Sequence, residues 1–301
     1  MIHATGAELP PSEGLDAWLA AREASFGDVR PEADACIRWA GAAGERTPVS
    51  IVYLHGYSAS RMETAPLCDL LADRLGANLF YARLAGHGRA EAAMAVPSAD
   101  HWLRDGVEAH EIGRRLGERV ILVGCSTGAT LATLLAADEA RKDIAAVVLI
   151  APNYAPRDGR SAVLNWPWAH IWVPWILGKE RIVEAESEAH ARYWTLRCPT
   201  ASLFPMMDLV AAVRKAPLNK VRAPVLSIWC EQDQVVAADR IGPTLARMVG
   251  AHVETHQVEP MAASSNHVIA GDAFAPEGTD PLLQKILEFL AAQAVAEAPA
   301  Q

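Results

Sequence analysis

The sequence has no surplus of positive charge, no cysteine framework, no apolar run long enough to span a membrane and no glycine-rich nucleotide loop. Lys and Arg number 27 against 36 Asp and Glu, giving a formal net charge of −9. A nucleic-acid binder would normally carry a basic stripe, so no nucleic-acid partner is expected. The five cysteines, Cys36, Cys68, Cys125, Cys198 and Cys230, are odd in number and irregular in spacing. That pattern argues against a disulfide framework or a cysteine-based zinc site and suits a reducing compartment. Met1-Ile2-His3-Ala4 lacks the charged-then-apolar order of a secretory signal, and no stretch approaches the roughly 20 apolar residues of a membrane span. A soluble, cytoplasmic protein is expected, with no stable membrane insertion. No G-x-G-x-x-G or P-loop follows a strand, so no nucleotide cofactor is expected. Gly86-His87-Gly88 offers one histidine without a second ligand nearby, so no metal is expected either. Internal repeats are absent, and the alanine-rich stretch Ala291 to Ala300 reads as a frayed end.

What is present is apolar and periodic. Hydrophobic residues make up 51% of the 301, enough for a sizeable core. Val49 to Leu54, Asn78 to Tyr81, Val120 to Val123, Ala145 to Ile150, Pro224 to Cys230 and His252 to Val258 read as strands, and Cys36 to Trp39 as a further short one. Between them, Arg61 to Leu75, Asp100 to Leu116 and Asp280 to Val295 carry helical spacing. Leu15, Trp18, Leu19 and Arg22 suggest an amphipathic helix in an N-terminal arm, 1–34. Alternating strands and helices predict an α/β fold, a mostly parallel sheet with helices on both faces. The rhythm breaks at Ala151-Pro152. Residues 153–221 hold Trp166, Trp168, Trp172, Trp175 and Trp194 and many prolines, and read as a helical cap inserted into a core formed by 1–152 and 222–301. Most of these tryptophans are expected to bind the cap to the core, with a few lining an apolar pocket.

The most informative stretch is Gly124-Cys125-Ser126-Thr127-Gly128. It lies between a strand and a run of helix formers, the layout of a nucleophile elbow in which a serine projects from a sharp turn. A serine hydroxyl needs a base to take its proton. Asp233 follows the strand ending at Cys230, and His267 lies between the last strand and the last helix, so both fall where an open α/β sheet presents its chemistry. Asp239 and Asp208 are weaker rivals for the acid, and His252 and His256 for the base. His55-Gly56-Tyr57-Ser58 follows the strand Val49 to Leu54. Backbone N–H groups of Tyr57 and Thr127 are the natural oxyanion donors.

Together with Arg83-Leu84-Ala85-Gly86-His87-Gly88 and His267-Val268-Ile269, these motifs resemble the serine α/β-hydrolase superfamily, and look most like bacterial carboxylesterases and monoacylglycerol-lipase-like enzymes. Asp100-His101-Trp102 is similar to that group as well. The resemblance covers roughly Pro48 to Leu290, leaving out the arm and most of the cap. It implies an eight-stranded, mostly parallel sheet and a Ser126–His267–Asp233 triad that hydrolyses carboxylic esters through an acyl-enzyme, and the apolar cap points to a small ester with an apolar acyl or alcohol part. The same machinery could cleave a thioester, an amide or a carbon–carbon bond, and a non-catalytic receptor on this fold is the other class. Haloalkane and epoxide relatives place an aspartate where Ser126 stands.

Overall fold

The computed structural model describes residues 9–261 and 265–295, so the second half of the alanine-rich end and the first residues of the arm lie outside the described residues. The strands are β1 (Cys36–Arg38), β2 (Thr47–Leu54), β3 (Asn78–Tyr81), β4 (Gly117–Cys125), β5 (Ile144–Ile150), β6 (Glu180–Ile182), β7 (Arg197–Pro199), β8 (Val225–Trp229) and β9 (Val253–Gln257). The helices are α1 (Leu15–Ser25), α2 (Leu67–Leu75), α3 (Ala99–Leu116), α4 (Thr127–Ala136), α5 (Ala169–Leu177), α6 (Glu188–Tyr193), α7 (Leu203–Lys215), α8 (Ile241–Leu245) and α9 (Pro276–Ala292). One sheet runs in the order β1-β3-β2-β4-β5-β8-β9. Every pair in it is parallel except β1 with β3. The described residues thus form a seven-stranded sheet where the resemblance implies eight. Among the described residues before β1 there is a helix and no strand, and the three residues of β1 close that edge.

The central strands are apolar at successive positions because both faces are covered. Val52, Leu54, Val120 and Leu122 point into a core shared with α3, α4 and α7. Their neighbours Ile51, Tyr53, Ile121 and Val123 point the other way, into a core shared with α2 and α9. The period of two along each strand therefore feeds two cores. Each fully buried Leu or Ile in them contributes about 1.5–3 kcal/mol. This is the α/β-hydrolase fold.

Two helix boundaries differ from the sequence expectation. Arg61–Glu63 is a separate 3-10 turn, and α2 begins only at Leu67. Pro66 lacks an N–H and disfavours helical backbone at the residue before it, so one continuous helix from Arg61 cannot form. At the other end of the chain, α9 starts at Pro276, earlier than Asp280, because proline is well suited to a first helical turn.

The arm packs on the core through α1, whose Leu15 and Leu19 are buried. Its anchor is a buried ion pair. Glu23 accepts from Arg83 Nε at 2.6 Å and Nη2 at 3.0 Å, and also from the Ala35 N–H at 3.2 Å. Arg22 forms a second pair with Glu108 on α3.

Between β5 and β8 lie α5, α6, α7 and an antiparallel ribbon of β6 and β7. Trp194 is buried here, edge-on to Phe274 at 5.0 Å between ring centroids. Trp166, Trp168 and Trp175 do not tie this segment down as expected: they stand 60%, 71% and 87% exposed. Helix α5 buries only Ala169 and Val173, so most of its surface has no core to face.

Removing one partner of a buried ion pair strands the other. Glu23→Ala is expected to lower the unfolding free energy by about 3 kcal/mol, measured by urea denaturation. Asp158→Ala, which breaks the surface pair with Arg160, is expected to leave it unchanged within error.

Candidate active site

Strands β2, β4, β5 and β8 end at one edge of the sheet, and the residues just beyond them meet there. Ser126 links β4 to α4 with φ 51° and ψ −111°. Non-glycine residues rarely occupy this region, at a cost of roughly 1–3 kcal/mol. The turn is held by Ser126 N–H donating to Ile150 O at 2.9 Å and by Asn153 N–H donating to Ser126 O at 3.2 Å. The flanking glycines are required by packing. A side chain on Gly128 would collide with the Leu54 carbonyl at the end of β2, and one on Gly124 with the backbone of Gly128 and Ala129. Cys125 is a buried free thiol, as a small filler should be.

Asp233 is fully buried in the loop after β8. Its Oδ1 accepts from the N–H groups of Val235 at 2.7 Å and Val236 at 2.9 Å, and its Oδ2 lies 2.7 Å from His267 Nδ1. Arg157 donates to its backbone carbonyl. A carboxylate only accepts, so Nδ1 carries the proton and Nε2 presents its lone pair. Gln234 N–H donates to Ser265 O at 2.9 Å, tying the aspartate loop to the histidine loop. Ser126 and His267 both line a cavity of about 880 Å³. The rivals lie elsewhere: Asp208, Asp239 and His252 are exposed, His256 is half-buried in β9, and none of the four lines this cavity.

The loop after β2 lies against the serine: a Cβ on Gly56 would stand 3.2 Å from Ser126 Cβ. Tyr57 follows, its hydroxyl 2.5 Å from Ser202 Oγ. Thr127 opens α4, where the first turn leaves backbone N–H groups without helical partners. His55, in the same loop, is fully buried. Its Nδ1 donates to Gly56 O at 2.8 Å and its Nε2 accepts from Leu84 N–H at 3.0 Å. It packs on His87, 4.9 Å between centroids, which in turn packs on Trp102 at 5.2 Å. Burial pushes His55 down to about 4 and His87 well below the usual imidazole range, so both are neutral supports. The sequence marks His55-Gly56 as the loop that presents the Tyr57 donor but gives no sign of the support that the His55 ring provides. Glu63, buried under the same loop, lies in the stretch Arg61 to Leu75 whose spacing predicts one helix. Among the described residues no cluster of three or more His, Cys, Asp or Glu is arranged to hold a metal ion.

The cavity walls are mainly apolar, with Leu164, Trp172, Val173, Trp194 and Met206 among them, and with Asp158, Arg160, Arg181 and Glu186 as charged members. No helix among the described residues is long and apolar enough to cross a membrane.

The fold presents a strained serine at the carboxyl edge of a mostly parallel sheet, and sequence comparison gives the family. The chain belongs to the family described as serine aminopeptidase, S33, whose model matches residues 46–262. A comparison with curated protein sequences finds no match. Among solved structures, it is similar to the metagenome-derived lipolytic enzymes LipS and LipT, at 20% identity over 88% of this chain and 99% of that one, with a TM-score of 0.68. A soluble variant of monoglyceride lipase from Saccharomyces cerevisiae, solved with a substrate analog, matches at 14% identity over 86% and 91%, with a TM-score of 0.64. Paleococcus ferrophilus monoacylglycerol lipase matches at 17% identity over 86% and 98%, with a TM-score of 0.58.

A histidine held neutral by burial weakens folding in acid, because the unfolded chain takes up a proton that the folded one resists. His55 contributes fully above the unfolded value of 6.5 and loses its contribution as pH falls from there towards about 4. The loss is about 3 kcal/mol for one such group. Glu63 and Asp105, both pushed up to about 7 by burial, titrate in the opposite sense, so the test is a difference. The stability gap between the protein and His55→Asn should narrow from pH 7.5 to pH 4.5, measured by urea denaturation across that range.

Proposed function

We propose that this chain is a serine hydrolase that cleaves carboxylic esters with an apolar acyl or alcohol part through an acyl-enzyme. The observation that carries the reading is the junction of three features: Ser126 on a strained turn facing an apolar cavity, His267 lining that cavity, and Asp233 bonded to the histidine from behind. In this reading His267 Nε2 takes the Ser126 proton as Oγ attacks the ester carbonyl, then delivers it to the leaving alcohol. Asp233 holds the tautomer and favours the imidazolium. The N–H groups of Tyr57 and Thr127 receive the oxyanion, each contributing about 3 kcal/mol of barrier lowering. A water activated by the same histidine then releases the acid.

The cavity supports the substrate class. Its volume, about 880 Å³, suits a small apolar molecule with few polar anchors. In this reading residues 153–221 form a cap over the core of 1–152 and 222–301, and the cap supplies Trp172 and Val173 to the acyl pocket. The family's description as a serine aminopeptidase makes an amide the alternative bond, cut by the same groups.

Ser126→Ala is expected to abolish hydrolysis of p-nitrophenyl esters and labelling by a fluorophosphonate while circular dichroism stays unchanged. Asp233→Asn should cost about 10⁴-fold in kcat. A variant at Ser126 with near-native turnover would sink the assignment. Across acyl chains of two to eight carbons, kcat/KM should rise about fourfold per methylene, the worth of ~0.8 kcal/mol each. A flat series would count against an apolar acyl pocket, and faster turnover of aminoacyl amides than of esters would favour the alternative.

A further inference from the structure

Glu63 is a carboxylic acid 2% exposed beneath the proposed catalytic centre, and the mechanism above leaves it without a role. Its Oε1 accepts from the Gly56 N–H at 2.5 Å and from the Tyr53 hydroxyl at 2.7 Å. The Gly56 carbonyl is held in turn by His55 Nδ1. Both polar groups of Gly56 are therefore fixed, and with them the orientation of the following peptide, which carries the Tyr57 N–H. Oε2 and the serine both lie close to the same glycine. A methyl built on Gly56 would stand 2.8 Å from that oxygen and 3.2 Å from Ser126 Cβ.

The backbone of the same turn braces the histidine loop. A Cβ on Gly271 would stand 2.9 Å from Glu63 O, and Asp272 N–H donates to Ala65 O at 2.9 Å. Gly271 follows His267 in the same loop. The turn at 63–65 is thus wedged between the loop carrying Tyr57 and the loop carrying His267.

We infer that Glu63 is a positioning residue of the reaction: its carboxylate anchors the peptide that aims the Tyr57 N–H, and its negative charge favours the imidazolium of His267. This rests on the Ser126–His267–Asp233 reading. The titratable groups facing Glu63 are Tyr53 from β2, Cys125 from β4, Cys68 from α2 and His267 from the loop before α9. Burial is the largest influence on its acidity and pushes it up to about 7, opposed by the Tyr53 hydroxyl, the Gly56 N–H and His267.

Two substitutions separate anchor from charge. Glu63→Gln keeps an acceptor for Gly56 and removes the charge, whereas Glu63→Ala removes both. Glu63→Gln is expected to lower plateau kcat about tenfold with KM unchanged, and to move the acid limb of kcat/KM down by about one pH unit. Glu63→Ala should lose about 10²-fold in kcat. The imidazole signal of His267, assigned by loss in His267→Ala and followed by NMR, should titrate at lower pH in Glu63→Gln. Should that variant not fold, Tyr53→Phe removes one donor to Oε1. It favours protonated Glu63 and should move both curves the same way by less. Superimposable pH profiles and an unmoved His267 titration overturn the proposal, as does a Glu63→Gln variant no more active than Glu63→Ala. Absence of fluorophosphonate labelling at Ser126 in the unmodified protein overturns the hydrolase reading instead, and the NMR titration then decides the charge effect by itself.

Discussion

The close approach of α4 to the end of β2 is the constraint on which the rest of the site depends. Gly128 sits so near the Leu54 carbonyl that no side chain fits, so the first turn of α4 is seated directly on the strand that leads into His55-Gly56-Tyr57. That seating forces the link between β4 and α4 to be a single residue at positive φ, which is Ser126. It also brings the loop after β2 alongside the serine without any hydrogen bond between their side chains being needed. The turn is then over-determined from the third strand, since Ile150 accepts from Ser126 and Asn153 donates to it. A backbone conformation that costs energy locally persists because three neighbouring strand ends define it.

Around this turn the molecule buries polar groups, which is stable only if each finds a partner. Asp233 has three donors on its carboxylate and one on its carbonyl. Glu63 has two on one oxygen. His55 uses both ring nitrogens on backbone groups. The consequence is a division of labour set by surroundings and not by residue type. His55 and His87, packed among Tyr57 and Trp102 and never facing the cavity with a charged partner, are kept neutral and act as supports. His267 is bonded to a carboxylate at Nδ1 and lines the cavity, and in the proposed hydrolase it is the histidine that exchanges a proton with the substrate.

Much of this was readable from residues alone, and the reasons are physical. Strands such as Val120 to Val123 are unmistakable because burial on both faces demands successive apolar residues. Ser126, Asp233 and His267 could be picked out because an open parallel sheet presents its chemistry beyond strand ends; Asp233 is bonded to His267, and Ser126 and His267 line one cavity that Asp208, Asp239, His252 and His256 do not line. Glu63 was invisible for a definite cause. With Arg61 to Leu75 read as one helix, it fell on a first turn, where an acidic residue is ordinary. The break before Pro66 makes the preceding turn tight and points the carboxylate inward. The proline was the available signal. The arm was legible as a helix through Leu15 and Leu19, but not its anchor, because Glu23 and Arg83 are 60 residues apart and nothing local to either marks the other.

The tryptophans show where sequence composition stops short of placement. An apolar residue between two elements has two destinations, a core or a cavity wall, and the pattern does not choose between them. The bonds from residues 153–221 to the β2 loop and the arm fall on a short stretch: Arg192 and the Tyr193 hydroxyl meet Glu32, Arg30 donates to Trp194 O, Thr195 N–H donates to Ser58 O, and Ser202 meets the Tyr57 hydroxyl. Helix α5 is different. It has Pro174 inside it and buries two of its residues, while its Trp172 and Val173 form part of the cavity wall. The bonds of this segment are therefore concentrated in the stretch from Arg192 to Ser202, and its share of the cavity wall includes α5. Substitutions on the inner face of α5 change the shape of the cavity without touching any bond that holds Ser126, Asp233 or His267 in place. In the proposed esterase, that separation lets the choice of acyl chain vary independently of the chemistry.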